Sequence, residues 1–183
     1  MYPLQAGSRN RLSIQRHPLS LLRTPYTRQG KTRSCEAGQN RMIITTARKP
    51  SPKIRTFCKH LSRFSGCEYV PRGKSGLKEL TDNTFLVVGE HRGNPGSFNF
   101  FSEGSCVLSL RANVSTDIDI NPGREPVIQG NTNLAHVLSK LTGFKIKDAG
   151  ERIIRVDDRI EFIDKGAIYI SLNVIGIRGE GIV

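Results

Sequence analysis

A chain of 183 residues suits one domain of ordinary size and is long enough to bury a core without disulfide or metal staples. Its longest apolar runs are four-residue pieces such as Phe85–Val88, far short of the ~18 residues of a spanning helix, which excludes a transmembrane helix. The net charge of +12 is confined to the first 78 residues: 1–41 carry eight basic groups against one acid, 42–78 nine against one, and 79–183 eleven against fourteen.

Residues 1–41 are rich in Arg, Ser, Gln and Gly and have no sustained periodicity. They read as a disordered basic tail. An RNA-binding tail, an Arg-rich transit peptide and an artefact of start-site choice compete as explanations. The artefact is favoured, because Met42 stands immediately before the first strand-like run.

Order is expected from Met42 onward. Ile43-Ile44-Thr45-Thr46 is short and β-branched, the pattern of a buried strand. Ser51 suits an N-cap and Pro52 the first helical position. The helix is expected to run to about Phe64, with Gly66 as its stop. Ile54, Phe57, Cys58, Leu61 and Phe64 recur at helical spacing, while Arg55, Lys59 and Arg63 fall on the opposite face. The helix thus carries a core-facing side and a basic stripe.

A short strand at Glu68–Val70, a turn at Pro71–Gly76 and a helical turn at Leu77–Leu80 follow. Thr84–Gly89 reads as a strong strand ending in a loop, Glu90–Gly96. Ser97–Phe101 and Cys106–Val114 read as a hairpin. After Pro122 the pattern partly repeats: a strand at Val127-Ile128, a helix capped by Asn133 and stopped by Gly143, then strands at Ile153–Val156, Arg159–Ile163 and Ala167–Ile175. A duplicated strand–helix–strand unit explains this. The second unit lacks the basic stripe.

Four stretches of the sequence suggest a chemistry. The four cysteines and four histidines are scattered, without the spacing of a zinc site. Gly73-Lys74-Ser75 suggests a phosphate loop, but Glu68 stands where that motif needs glycine. Glu90-His91 and Asp157-Asp158 read as strand-end and turn residues rather than acid–base or metal sites. The coherent candidate is Thr45-Thr46-Ala47-Arg48-Lys49-Pro50-Ser51. A helix N-terminus offers unpaired N–H groups and partial positive charge, with Arg48 and Lys49 beside it. Arg72, Lys74, Arg92 and the Arg55–Lys59–Arg63 stripe are expected to add to the same surface. Such a set grips phosphates and reads few bases. A capped, solvated helix end is the alternative.

The run Ile43–Ser51, then Arg72-Gly73, then Phe85–Pro95 with its Glu90-His91-Arg92-Gly93-Asn94-Pro95 loop resembles the Brix-domain superfamily of ribosome-biogenesis proteins. The likeness is well defined over about 42–115 and looser beyond, and the compact length resembles archaeal members. It implies an α/β fold of mixed sheets in two similar halves, about 42–120 and 121–183, each like the anticodon-binding domain of class IIa aminoacyl-tRNA synthetases. It implies no catalysis and a role in pre-rRNA processing and subunit assembly. The partners expected are rRNA or pre-rRNA and ribosomal or assembly proteins, with no membrane, metal, cofactor or small-molecule substrate. The place is cytoplasmic in an archaeon, and nucleolar in eukaryotic relatives. The RNA-binding set is Arg48, Lys49, Ser51, Arg55, Lys59, Arg63, Arg72, Lys74 and Arg92. The rival readings are a protein scaffold that does not touch RNA and an RNA-modifying enzyme.

Overall fold

β-branched and aromatic residues at alternate positions build strands, and two apolar stripes of helical period build helices that cover one face of them. The computed structural model describes residues 42–73, 76–80, 82–116 and 122–179. The expected tail at 1–41 and the candidate Lys74 lie outside the described residues. The elements are β1 (Ile43–Thr46), α1 (Pro52–Ser65), a 3-10 turn (Leu77–Leu80), β2 (Phe85–His91), β3 (Asn94–Ser102), β4 (Ser105–Thr116), β5 (Val127–Gln129), α2 (Asn133–Thr142), β6 (Arg152–Val156), β7 (Ile160–Asp164) and β8 (Ala167–Gly179).

The strands form one eight-stranded mixed sheet, ordered β1-β2-β3-β4-β8-β7-β6-β5. β1 pairs β2 in parallel, β5 pairs β6 in parallel, and every other pair is antiparallel. The order is a palindrome of one unit, strand–helix–three strands, used twice and joined by β4 against β8.

The repeat extends to single hydrogen bonds. Ser62 Oγ donates to the Cys67 carbonyl at 2.7 Å, as Ser139 Oγ does to the Phe144 carbonyl at 2.6 Å. Ser65 and Thr142 hydroxyls each donate to the carbonyl four residues back, at 2.7 Å. Gly66 and Gly143, both left-handed, end the helices (φ 70° and 78°). The chain then returns to the outer side of the first strand through lone parallel bridges, Ile44 with Tyr69 and Ile128 with Ile146. The short strand expected at Glu68–Val70 is therefore one such bridge.

Both helices lie on the same face of the sheet. Phe57 and Leu61 of α1 and Leu138 of α2 share a small apolar cavity of about 50 Å³ with sheet residues of both units, including Leu86, Phe98 and Phe162. One core therefore serves both halves. Arg152 ties them further. Its side chain, 5% exposed, pairs with Asp164 at 2.6 Å. Its Nη1 donates to the carbonyls of Arg63 and Phe64 at 3.2 and 3.1 Å, at the C-terminal end of α1. Its guanidinium also lies 5.2 Å from the centre of the Phe64 ring.

Two expectations need correction. Glu90–Gly96 is not a loop: β2 continues to His91, and Arg92-Gly93 alone makes the turn into β3, with φ 51° and 76°. Positive φ at both central residues is the geometry that matches strand twist in a two-residue hairpin. Asn133 does not cap α2; Thr132 does, its Oγ1 accepting from Ala135 N–H at 3.1 Å. No described helix is long and apolar enough to cross a bilayer.

Candidate nucleic-acid interface

The parallel pairing of β1 with β2 brings the C-terminal ends of both strands to one end of the sheet. From β1 the chain turns through Ala47–Ser51 into α1, and from β2 it turns through Arg92-Gly93 into β3. The two turns meet, since Lys53 Nζ donates to Asn94 Oδ1 at 3.4 Å. Tyr69 bridges Ile44 in parallel, and Thr45 Oγ1 donates to the Val70 carbonyl at 2.8 Å, so Pro71-Arg72 also leaves toward this end. Arg48, Lys49, Arg72 and Arg92 are thereby gathered by topology. Arg48, Lys49 and Arg92 are exposed, and Arg72 is partly so.

The N-terminus of α1 is unfinished. Ser51 takes the N-cap backbone conformation, φ −65° and ψ 163°, yet its side chain makes no cap hydrogen bond. Its Oγ is buried and has no hydrogen-bond partner among the described residues. The expected Ser51 side-chain cap is therefore absent. No acidic residue stands in the first turn. The helix dipole and the unpaired N–H groups are left uncompensated beside two cations. Lys49 holds φ 53°, an uncommon conformation for a residue with a side chain. A cleft of about 410 Å³ opens alongside, lined by Lys53, Thr56 and His60 of α1 with Asn94, Pro95 and Thr116 among its other walls.

The stripe divides. Arg55 folds back, its Nε and Nη2 donating to the Pro50 carbonyl at 3.3 and 3.0 Å. It braces the turn that carries Arg48 and Lys49. The neighbouring Tyr69 phenol is held above its ordinary 10.0 by burial first, raised further by Cys58 and lowered by Arg55. Lys59 and Arg63 are exposed but lead away along the helix, about 12 Å from Arg55 to Arg63 at 1.5 Å per residue. They form a track running off the patch. Cys58, on the buried side, has its thiol pushed up to about 12 by burial, so it stays protonated and inert.

A curated relative in Methanosarcina mazei, named a probable Brix domain-containing ribosomal biogenesis protein, is 36% identical over 156 residues, covering 75% of this chain and 99% of the relative. The chain belongs to the Brix-domain ribosomal biogenesis proteins. A relative of the same description in Methanococcoides burtonii is 33% identical over 149 residues, covering 75% of this chain and 96% of its own length. The crystal structure of Mil, an archaeal Imp4-like protein, superposes with a TM-score of 0.63 at 27% identity, covering 75% of this chain and 99% of that one. The crystal structure of a protein from Aeropyrum pernix described as a probable ribosomal biogenesis protein shares the fold, with a TM-score of 0.60 at 24% identity over 73% of this chain and 94% of its own. No family model matches the chain.

Within this Brix fold three arginines escape sequence reading. Arg152 looks like a surface residue of a strand and is a buried clamp. Arg111 and Arg178 lie far apart in the chain, yet they line one cleft with His91 and Arg92. The one available signal is their alternation with buried residues such as Leu110 on β4. It marks Arg111 as outward but cannot reveal the partner strand.

Proposed function

We propose that this Brix protein binds rRNA or pre-rRNA through the end of the sheet where α1 begins, and assists pre-rRNA processing and subunit assembly in the cytoplasm without catalysing a reaction. The observation that carries this reading is the uncapped N-terminus of α1, with a buried, unpartnered Ser51 hydroxyl and two flanking cations. Backbone N–H groups at a helix start donate readily to a phosphate. Arg48 and Lys49 add charge, Arg55 braces their turn, and Arg72 and Arg92 border it, with Lys59 and Arg63 continuing along α1. Lys74 belongs to the same proposed set. Contacts of this kind position a ribose-phosphate strand and carry little base information.

The second half is assigned to ribosomal or assembly proteins. Three of its five arginines, Arg124, Arg152 and Arg155, face carboxylates, at 4.0, 2.6 and 3.4 Å. Its helix-free face holds the 48% exposed Ile168 beside Ile153 and Ile163, surface suited to an apolar partner.

The test is RNA binding as a function of salt, comparing the intact chain with the Arg48→Gln, Lys49→Gln double variant. Loss of two phosphate contacts should weaken binding roughly tenfold and flatten the plot of log affinity against log salt by about 1.4 for single-stranded RNA. Unchanged affinity and slope would overturn the assignment.

A further inference from the structure

We infer that a second stretch of the bound RNA crosses the sheet on the face opposite the helices, held by Arg92, Arg111 and Arg178 at the seam between the two halves. This rests on the RNA-binding reading above and extends it to a surface built from both halves.

Alternation along β4 turns Leu108, Leu110 and Ala112 into the core and Ser109 and Arg111 outward. Register then sets their neighbours. Ser109 lies between Asn99 of β3 and Arg178 of β8, and Arg111 lies between Ser97 and Gly176. Gly176 leaves the space beside the Arg111 stem open: a Cβ there would stand 3.8 Å from the Arg111 Cβ. The result is an open cleft of about 340 Å³ lined by His91, Arg92, Ser109, Arg111, Gly176 and Arg178 together with Ile175 and Ile177, with no carboxylate in its lining. Arg111 and Arg178 come from different halves, so the cleft exists only because β4 and β8 pair.

Among the described residues these three guanidinium groups make no hydrogen bond or ion pair. That sets them apart from Arg124, Arg152 and Arg155, each matched to a carboxylate. Like charges around one cleft repel until an anion enters. A guanidinium fork matches a phosphate in two-point geometry. No Phe, Tyr or Trp side chain lines the cleft, His91 supplies its one aromatic ring, and Ser109 offers a hydroxyl whose proton goes to Asn99 Oδ1 at 2.7 Å. The chemistry suits backbone phosphates read without sequence preference.

Continuity selects RNA over an acidic protein segment. Arg92 sits on the β2–β3 turn, and the same turn reaches α1 through the Lys53–Asn94 hydrogen bond. One strand leaving the α1 end of the sheet meets Arg92 next, then Arg111, then Arg178.

The experiment uses the full chain and a labelled single-stranded RNA of mixed sequence, about 20 nucleotides long, in fluorescence anisotropy between about 0.05 and 0.2 M salt. The Arg111→Gln, Arg178→Gln variant should bind roughly tenfold more weakly, with a salt slope shallower by about 1.4. Its thermal unfolding should be unchanged, because both side chains are exposed. If that variant loses its fold, Arg178→Gln alone takes its place, since Arg178 is exposed and belongs to the seam only, with about threefold weaker binding and a slope shallower by about 0.7 expected. A double variant that binds like the parent, while Arg48→Gln, Lys49→Gln weakens binding, would discard the seam and leave the first site standing. A parent chain that binds no RNA would overturn both. A seam that binds polyglutamate, lost in the double variant while RNA binding is kept, would replace RNA with an acidic protein and overturn the inference.

Discussion

The two helices of this molecule occupy equivalent places in a repeated unit, and their N-termini are finished in opposite ways. α2 starts at Thr132, whose hydroxyl accepts from Ala135 N–H. Its end is chemically closed, and no cation precedes it within Gly130–Thr132. α1 has 14 residues to the 10 of α2, so it extends one turn further, about 6 Å of helix axis. It begins at a serine whose hydroxyl bonds to nothing described, next to Arg48 and Lys49. Duplication supplies two helices whose C-terminal ends correspond, and the extra turn of α1 carries its N-terminus further out. Local residues decide which is self-satisfied and which is left to attract an anion. The C-termini differ as well, since Arg152 of the second half grips the α1 carbonyls of Arg63 and Phe64.

The largest test of this asymmetry is Arg152→Met. It leaves Asp164 unpaired at a half-closed site and strips the α1 carbonyls of their donor. Breaking one side of a buried pair costs about 3–5 kcal/mol, so thermal unfolding should fall by on the order of 10 °C. Adding Asp164→Leu should recover much of that loss. An unchanged midpoint for Arg152→Met would mean the halves do not depend on the clamp.

A smaller effect separates the two N-termini directly. Thr132→Ala should cost about 1 kcal/mol, the usual value of a lost cap. Ser51→Ala should cost only a few tenths or even stabilise, because it removes a buried hydroxyl that is unsatisfied. Equal costs in urea unfolding would show that α1 is capped by its own serine after all, and the contrast would collapse.

The smallest effect concerns Cys58, which packs on α1 where α2 carries Ala135. Its thiol, raised from 9.0 to about 12, holds its proton in the folded state while the unfolded chain releases it. The folded state is therefore favoured fully below pH 9, and that contribution is lost as pH rises from about 9 to 12. Native alkylation at pH 8 should modify the exposed Cys106 and spare Cys58. Modification of both at one rate would contradict the burial.

Much of the fold was legible because its signals are periodic. The α1 stripe of Ile54, Phe57, Leu61 and Phe64 is buried as its spacing requires, and Gly66 and Gly143 end the helices in left-handed geometry. The β2–β3 hairpin was not legible, because Asn94-Pro95-Gly96 has the composition of a loop. Pro95 is tolerated in β3 where the register shifts between Gly89 and Glu90 and relaxes the ladder. The cap of α2 was misplaced by one residue because Thr132 and Asn133 are both good caps, and only backbone geometry chooses between them.

By itself the sequence determined most of the strands and both helices, that the cationic excess lies before residue 79, and that one helix presents a basic side. Those properties are written in near neighbours, through propensity, period and charge. Tertiary structure alone decided that Arg152 is a clamp and that Arg111 meets Arg178. Their partners lie many residues away: Arg63 is 89 positions before Arg152, and the seam depends on the register of β4 against β8. Register between distant strands is set by burying one shared core, and no local pattern encodes it.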